Sequence, residues 1–212
     1  MTAFAYSPQV FDVANLSDAM GIILTPEGGA TTDERWMRET PYLADLILSR
    51  FDLNSESLVL DYGCGIGRLA KEIIRRTGCR VVGADISTSM RAFAAHYVNS
   101  PRFVACHPES LTLFPRFDAA ISVWVLQHCF DLENDIEAIA DAMEPGAPLA
   151  VVNNHARVVP AVHDNVTVWA NDGKSVDDLL ASKLTKQDSG KLESEFVGEA
   201  IAASAGWALY RK

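Results

Sequence analysis

Three glycines at alternate positions, Gly63, Gly65 and Gly67, stand between an apolar run and an amphipathic one. This spacing lets the main chain turn tightly and leaves no Cβ between the backbone and a bound molecule. Asp85 follows 18 residues after the last glycine, close to the roughly 20 at which a carboxylate meets the hydroxyl pair of a ribose in nucleotide-binding βα units. Loop and acid together point to a ligand carrying adenosine. Asp61, just ahead of the glycines, narrows the choice: its charge opposes a pyrophosphate and suits a ligand that carries an ammonium and a sulfonium. The G-x-G-x-G spacing also departs from the G-x-G-x-x-G of nicotinamide sites, where a helix N-terminus meets a pyrophosphate.

The stretch Leu58-Val59-Leu60-Asp61-Tyr62-Gly63-Cys64-Gly65-Ile66-Gly67-Arg68 resembles the first motif of the class I S-adenosylmethionine-dependent methyltransferases, and Val82-Gly83-Ala84-Asp85-Ile86-Ser87 resembles their second. The resemblance covers roughly residues 33–154. It implies S-adenosylmethionine as cofactor, lying across the C-terminal ends of the strands of a Rossmann-like sheet. Asp61 and the backbone of Gly63, Gly65 and Gly67 would then face its methionine end, Asp85 the ribose hydroxyls, and Ile86 and Met90 the adenine, with Val123 also bordering the cofactor. Members of this family place an acid after the third strand to accept from the adenine amino group. Here the chain reads Ala105-Cys106-His107-Pro108-Glu109, so that acceptor is expected from a ring nitrogen of neutral His107, or from Glu109.

Residues 117–128 resemble the family's fourth-strand motif, and the resemblance places the methyl acceptor over the ends of the fourth and fifth strands. A histidine at the corresponding end position serves several small-molecule branches as general base, which makes His128 the expected catalytic residue. An imidazole titrating near pH 6.5 suits removal of a proton from a hydroxyl or an ammonium. The alternative for His128 is a residue that only hydrogen-bonds its own loop. His155 is a second candidate, and Trp124, Trp36 and Tyr42 either line the acceptor pocket or fill the core. The implied reaction is direct displacement at the sulfonium methyl by an oxygen or nitrogen of a small molecule. No metal is expected, since the sequence offers no carboxylate cluster for magnesium.

Positioning these residues requires alternating strands and helices. A helix is expected from Thr32 or Asp33, interrupted at Pro41 and reaching Phe51. Short apolar runs at 57–60, 80–84, 103–105, 117–124 and 148–153 read as buried parallel strands. Between them, Leu69, Ala70, Ile73 and Ile74 share one helix face, and Gly78 closes that helix. Further helices are expected from Ser87 to Pro101 and over 132–143. The fold class is therefore α/β, a Rossmann-like, mainly parallel sheet with helices on both faces. Beyond Asn153 the pattern weakens: residues 166–170 alternate like an exposed strand, 172–190 are polar with a helical stretch near Leu179, 193–205 read as one helix and 207–210 as a last strand. Residues 154–165 contain Pro160 and no amphipathic period, so 166–170 is expected outside the sheet as part of a flap near the acceptor pocket. The sheet would then lack its seventh strand and expose an edge for a partner subunit, as in a homo-oligomer. Residues 1–32 read as an irregular appendage, and 33–212 as one domain carrying a flap or insertion over 155–190.

A formal charge of −10 from 18 basic and 28 acidic residues repels phosphate backbones and makes a nucleic acid a poor substrate. No apolar run approaches the roughly 18 residues of a membrane span and the N-terminus lacks a basic start, so a cytoplasmic protein with reduced cysteines is expected. Two other functions stay open from the residues: a nicotinamide-dependent oxidoreductase, and a non-catalytic Rossmann-like interaction subunit.

Overall fold

The computed structural model describes residues 5–212. The N-terminal part forms strand β1 (Ala5–Tyr6), a 3-10 turn (Pro8–Phe11), helix α1 (Leu16–Ile23) and helix α2 (Thr32–Leu48). Next come β2 (Leu58–Tyr62), α3 (Arg68–Thr77), β3 (Arg80–Ala84), α4 (Thr88–Val98), β4 (Phe103–Cys106), β5 (Ala119–Val123), α5 (Leu132–Ala142) and β6 (Pro148–Asn154). The chain ends with β7 (Val159–His163), β8 (Val166–Ala170), α6 (Val176–Lys183), β9 (Thr185–Lys191), α7 (Ser194–Val197), α8 (Glu199–Ser204) and β10 (Ala205–Arg211).

The main sheet runs β4-β3-β2-β5-β6-β10-β9. Its first five strands are parallel, and β10 is antiparallel to both neighbours. Every residue of β2 is buried, because helices cover both faces. On one face Leu60, Val82 and Leu149 pack with Ile136 of α5 and Leu180 of α6; on the other Val59, Val81 and Ile121 pack with Ile73 of α3 and Leu43 and Ile47 of α2. Chain order reverses between β2 and β5, which opens a crevice at their C-terminal ends.

Several expectations need correction. The sheet has the seventh strand that was expected to be missing: β9 pairs antiparallel along β10 and covers that strand's edge. All seven β9 residues are exposed, so no alternation of apolar and polar side chains marks it in the sequence. Backbone pairing alone defines it, and its lysines blunt the free edge. The single helix expected over 193–205 is two short ones, divided at Gly198 with φ +89°. Helix α2 passes through Pro41 without interruption, and its cap is Thr31, in a capping box with Glu34, rather than Thr32 or Asp33. The N-terminal segment contains α1, whose Asn15 side chain accepts from the Asp18 amide.

The expectation for residues 166–170 holds: β8 lies outside the main sheet, in a second sheet ordered β1-β7-β8. Tyr6 pairs with Ala161 and Val162 with Thr167, so the N-terminal strand and the β7-β8 hairpin form one small lid. Arg157, 1% exposed, ties the base of this hairpin to the body. Its guanidinium donates to the Leu126 and Cys129 carbonyls and pairs with Asp172 at 2.8 Å.

Candidate functional site

A cavity of about 540 Å³ fills the crevice beyond β2 and β5, within the range of small-molecule sites. Its floor is the turn that leaves β2. Gly63 and Gly65 line the cavity with φ of +75° and +53°, a backbone region that side chains rarely enter. A Cβ on Gly63 would lie 2.2 Å from Val125 Cγ2, and one on Gly65 2.7 Å from Ile23 Cδ1. Gly67 does not line the cavity. It caps α3, and a Cβ there would lie 2.4 Å from Val98 Cγ2, so its need is packing.

Asp85 sits beyond β3 with one oxygen accepting from the Gly65 amide at 2.8 Å and the other from the Ser87 amide at 2.9 Å. Each oxygen keeps a second lone pair. Burial pushes its acid above the usual range, and the two amides hold it down. Ile86 and Met90 line the cavity beside it.

Asp61 is 4% exposed. Burial pushes its acid up to about 7, opposed by the positive charge of Arg68 and reinforced by Asp85. Arg68 is also buried, and burial lowers it to about 10 while Glu39 and Asp61 work to raise it. Arg35 pairs with the fully buried Glu39 at 2.6 Å. Arg35, Arg68 and Asp61 all line the cavity, which places two cations and an anion at one end. A carboxyl with a folded pKa above its ordinary 3.8 binds more protons folded than unfolded from there to about 7. Stability therefore falls as pH rises through that window and stays low above it. An Asp61→Asn variant, which does not titrate, is expected to gain about 2 kcal/mol on the parent between pH 5 and pH 8. Urea unfolding of ligand-free protein checks this, and a difference that stays flat with pH would contradict it.

At the other end, β5 runs into Trp124, a non-glycine residue at φ +63°, a strained conformation of the kind that collects at functional sites. A 3-10 turn (Leu126–His128) follows. The Gln127 Oε1 accepts from the Asn154 amide at 2.5 Å, which fixes the orientation of its side-chain amide. Its NH2 therefore faces His128 Nε2 at 3.0 Å, and that nitrogen must accept. The His128 Nδ1–H then donates to the Val158 carbonyl at 2.7 Å. Burial lowers the His128 pKa below its ordinary value, and the hydrogen bond to Val158 opposes that shift. The ring is thus a pinned neutral tautomer. Phe11 meets it tilted and Trp169 edge-on, with centroids 5.8 and 5.4 Å away.

Of the residues expected at the site, Asp61, Gly63, Gly65, Asp85, Ile86, Met90, Val123 and His128 share this cavity, as does Trp124. His107 does not; its Nδ1 accepts from the Glu109 amide in its own turn, and its neighbour Pro108 lines the cavity. Glu109 is 90% exposed at its side chain and His155 is also outside the lining. Trp36 bonds to the Tyr97 hydroxyl, and Tyr42 stacks on Phe196. The lid residues Tyr6 and Phe11, and the body residues Arg35 and Asp135, line the cavity without having been expected there, while Trp169 of the expected flap and Gln127 at the end of the fourth-strand motif line it as well.

A family model described as "Methyltransferase domain" matches residues 60–151. N-demethylindolmycin N-methyltransferase of Streptomyces griseus is 32% identical over 117 residues, 52% of this chain and 49% of that protein. Malonyl-[acyl-carrier protein] O-methyltransferase of Pseudescherichia vulneris is 31% identical over 121 residues, 57% and 48% of the two chains. The chain thus spans about half the length of the curated relatives it matches. N-methyltransferase NodS from Bradyrhizobium japonicum WM9, solved with S-adenosyl-L-homocysteine, has a TM-score of 0.64 at 17% identity, covering 92% of this chain and 96% of that one. At that identity the likeness shows a shared fold.

Proposed function

The chain belongs to the class I S-adenosylmethionine-dependent methyltransferases, and from that premise we propose that it transfers a methyl group to an oxygen or nitrogen of a small molecule held in the cavity. The observation that carries this reading is the pairing of charges and acceptors around one space. Asp85 offers free lone pairs beside Gly65, and the far side of the same turn presents Asp61 with Arg35 and Arg68.

These residues fit the amino-acid and ribose ends of the cofactor. Asp61 would face its ammonium, the buried guanidinium groups its carboxylate, and Asp85 the ribose hydroxyls. When bound, S-adenosylmethionine supplies an electrophilic methyl on a good leaving group. The protein's share of the work is then mainly alignment, for which positioning contributes up to about 7 to 11 kcal/mol. Burial strengthens each of these contacts by excluding water.

His128 presents its unprotonated Nε2 next to cavity-lining Gln127. An acceptor group that displaces the Gln127 amide would place its own hydroxyl or amine proton on that lone pair. The resulting imidazolium would keep its Nδ1–H on the Val158 carbonyl, which stabilises the charged form. The reading is tested by incubating the protein with methyl-labelled S-adenosylmethionine and pools of small hydroxylated and amino compounds. Label is expected to appear in a small-molecule product. Label confined to protein or nucleic acid, or no affinity for the cofactor, would overturn it.

A further inference from the structure

The family resemblance calls for an acceptor at the adenine amino group, and the expected residues do not supply one: His107 and Glu109 both lie outside the cavity lining. We propose that Asp135, held against the Tyr62 hydroxyl, accepts the hydrogen bond from the exocyclic amine of adenine. This inference rests on the cofactor reading above and adds a residue that selects adenine over other bases.

Among the described residues lining the cavity, the carboxylates are Glu27, Asp61, Asp85 and Asp135. Glu27 lies in the loop between α1 and α2, where it pairs backbone to backbone with Ala30. Asp61 stands at the end with the two arginines, and Asp85 marks the ribose. Asp135 lies on α5, which packs against the 3-10 turn Pro108–Leu113. Pro108, the first residue of that turn, lines the cavity together with Asp85 and Ile86, and the Asp85 amide donates to the Cys106 carbonyl two residues before it. The base attached to the ribose at Asp85 is therefore bounded by Ile86, Pro108 and Asp135.

Local chemistry prepares Asp135 for this task. Its Oδ1 accepts a hydrogen bond from the Tyr62 hydroxyl. Burial holds Tyr62 protonated, helped by the negative charges of Asp135 and Asp85, so the phenol keeps the proton it donates to Asp135. Burial pushes the Asp135 acid up, while the Tyr62 hydroxyl and the Cys129 thiol hold it down. A carboxylate has about four acceptor sites, and these two donors leave room for an amine. Leucine and isoleucine occupy the neighbouring buried positions, Leu132, Ile136 and Ile139, while the half-buried Asp135 borders the cavity.

The test compares S-adenosylhomocysteine with S-inosylhomocysteine, in which an oxygen replaces the amine, by titration calorimetry. The unmodified protein is expected to prefer the adenine compound by about 10- to 100-fold, the range of a hydrogen bond to a charged group. Asp135→Ala should bring that preference below about threefold while the melting temperature reports an intact fold. Asp135→Asn, which keeps the shape and can still accept, should give an intermediate preference and serves if the alanine variant does not fold. An unchanged preference in the folded variants, or none in the unmodified protein, would overturn the assignment. Failure of the unmodified protein to bind S-adenosylhomocysteine would instead overturn the cofactor reading beneath it.

Discussion

Exchange of His128 for asparagine is expected to lower kcat by about 10²- to 10⁴-fold, the contribution of a positioned general base, while leaving affinity for S-adenosylhomocysteine within about threefold. The expectation follows from the order of donors. The Asn154 amide orients Gln127, Gln127 gives His128 Nε2 a proton donor, and Val158 receives the proton on Nδ1. A ring held this way is neutral and can take one further proton at one defined atom. Because burial lowers its pKa, the base form persists below the ordinary imidazole range, and activity is lost only as pH falls further. The acid limb of the kcat profile should therefore sit below pH 6.5 and vanish in the variant. A variant with kcat within fivefold of the parent would show that the ring is only part of the wall.

Asp85→Ala is expected to weaken S-adenosylhomocysteine by about a hundredfold or more. Two ribose hydroxyls lose a charged acceptor, at about 1.5 kcal/mol or more each. The same carboxylate also holds the Gly65 and Ser87 amides, so its removal loosens the turn that lies under the ligand. Asp85→Asn retains one acceptor and should lose about tenfold. Calorimetry on both variants checks the series; parental affinity in the alanine form would mean that the ribose lies elsewhere.

The parts of the molecule that the sequence made legible are those in which each residue answers to one constraint. The β2 turn is an example: Asp61, Gly63, Gly65 and Asp85 are fixed by backbone conformation and by charge, and all four border the cavity. Gly67 carries the same motif for a different reason, room for Val98, and a spacing pattern does not separate the two. Strand β9 was hidden because its side chains face water throughout, leaving no period to read. Helix α1 was hidden by brevity, with only Ala19 fully buried. Asp135 could have been noticed as an acid beside Ile136 in an apolar helix face, but its partner Tyr62 is 73 residues away, and only the fold brings them together. The lid residues Phe11 and Trp169 are likewise joined across most of the chain.

That last contact gives the molecule an optical reporter. Trp169, 53% exposed, touches Phe11 and the imidazole of His128, so its indole senses both whether the β1-β7-β8 sheet is seated and whether the ring beneath it carries a proton. β1 and the β7-β8 hairpin share backbone hydrogen bonds, so they sit over the cavity as one unit. Because the chain has four tryptophans, the difference in indole emission between the parent and a Trp169→Phe variant, followed through a rapid-mixing experiment, would time the exchange of product for fresh cofactor. Separation of that interval from the methyl-transfer step itself would need no attached dye.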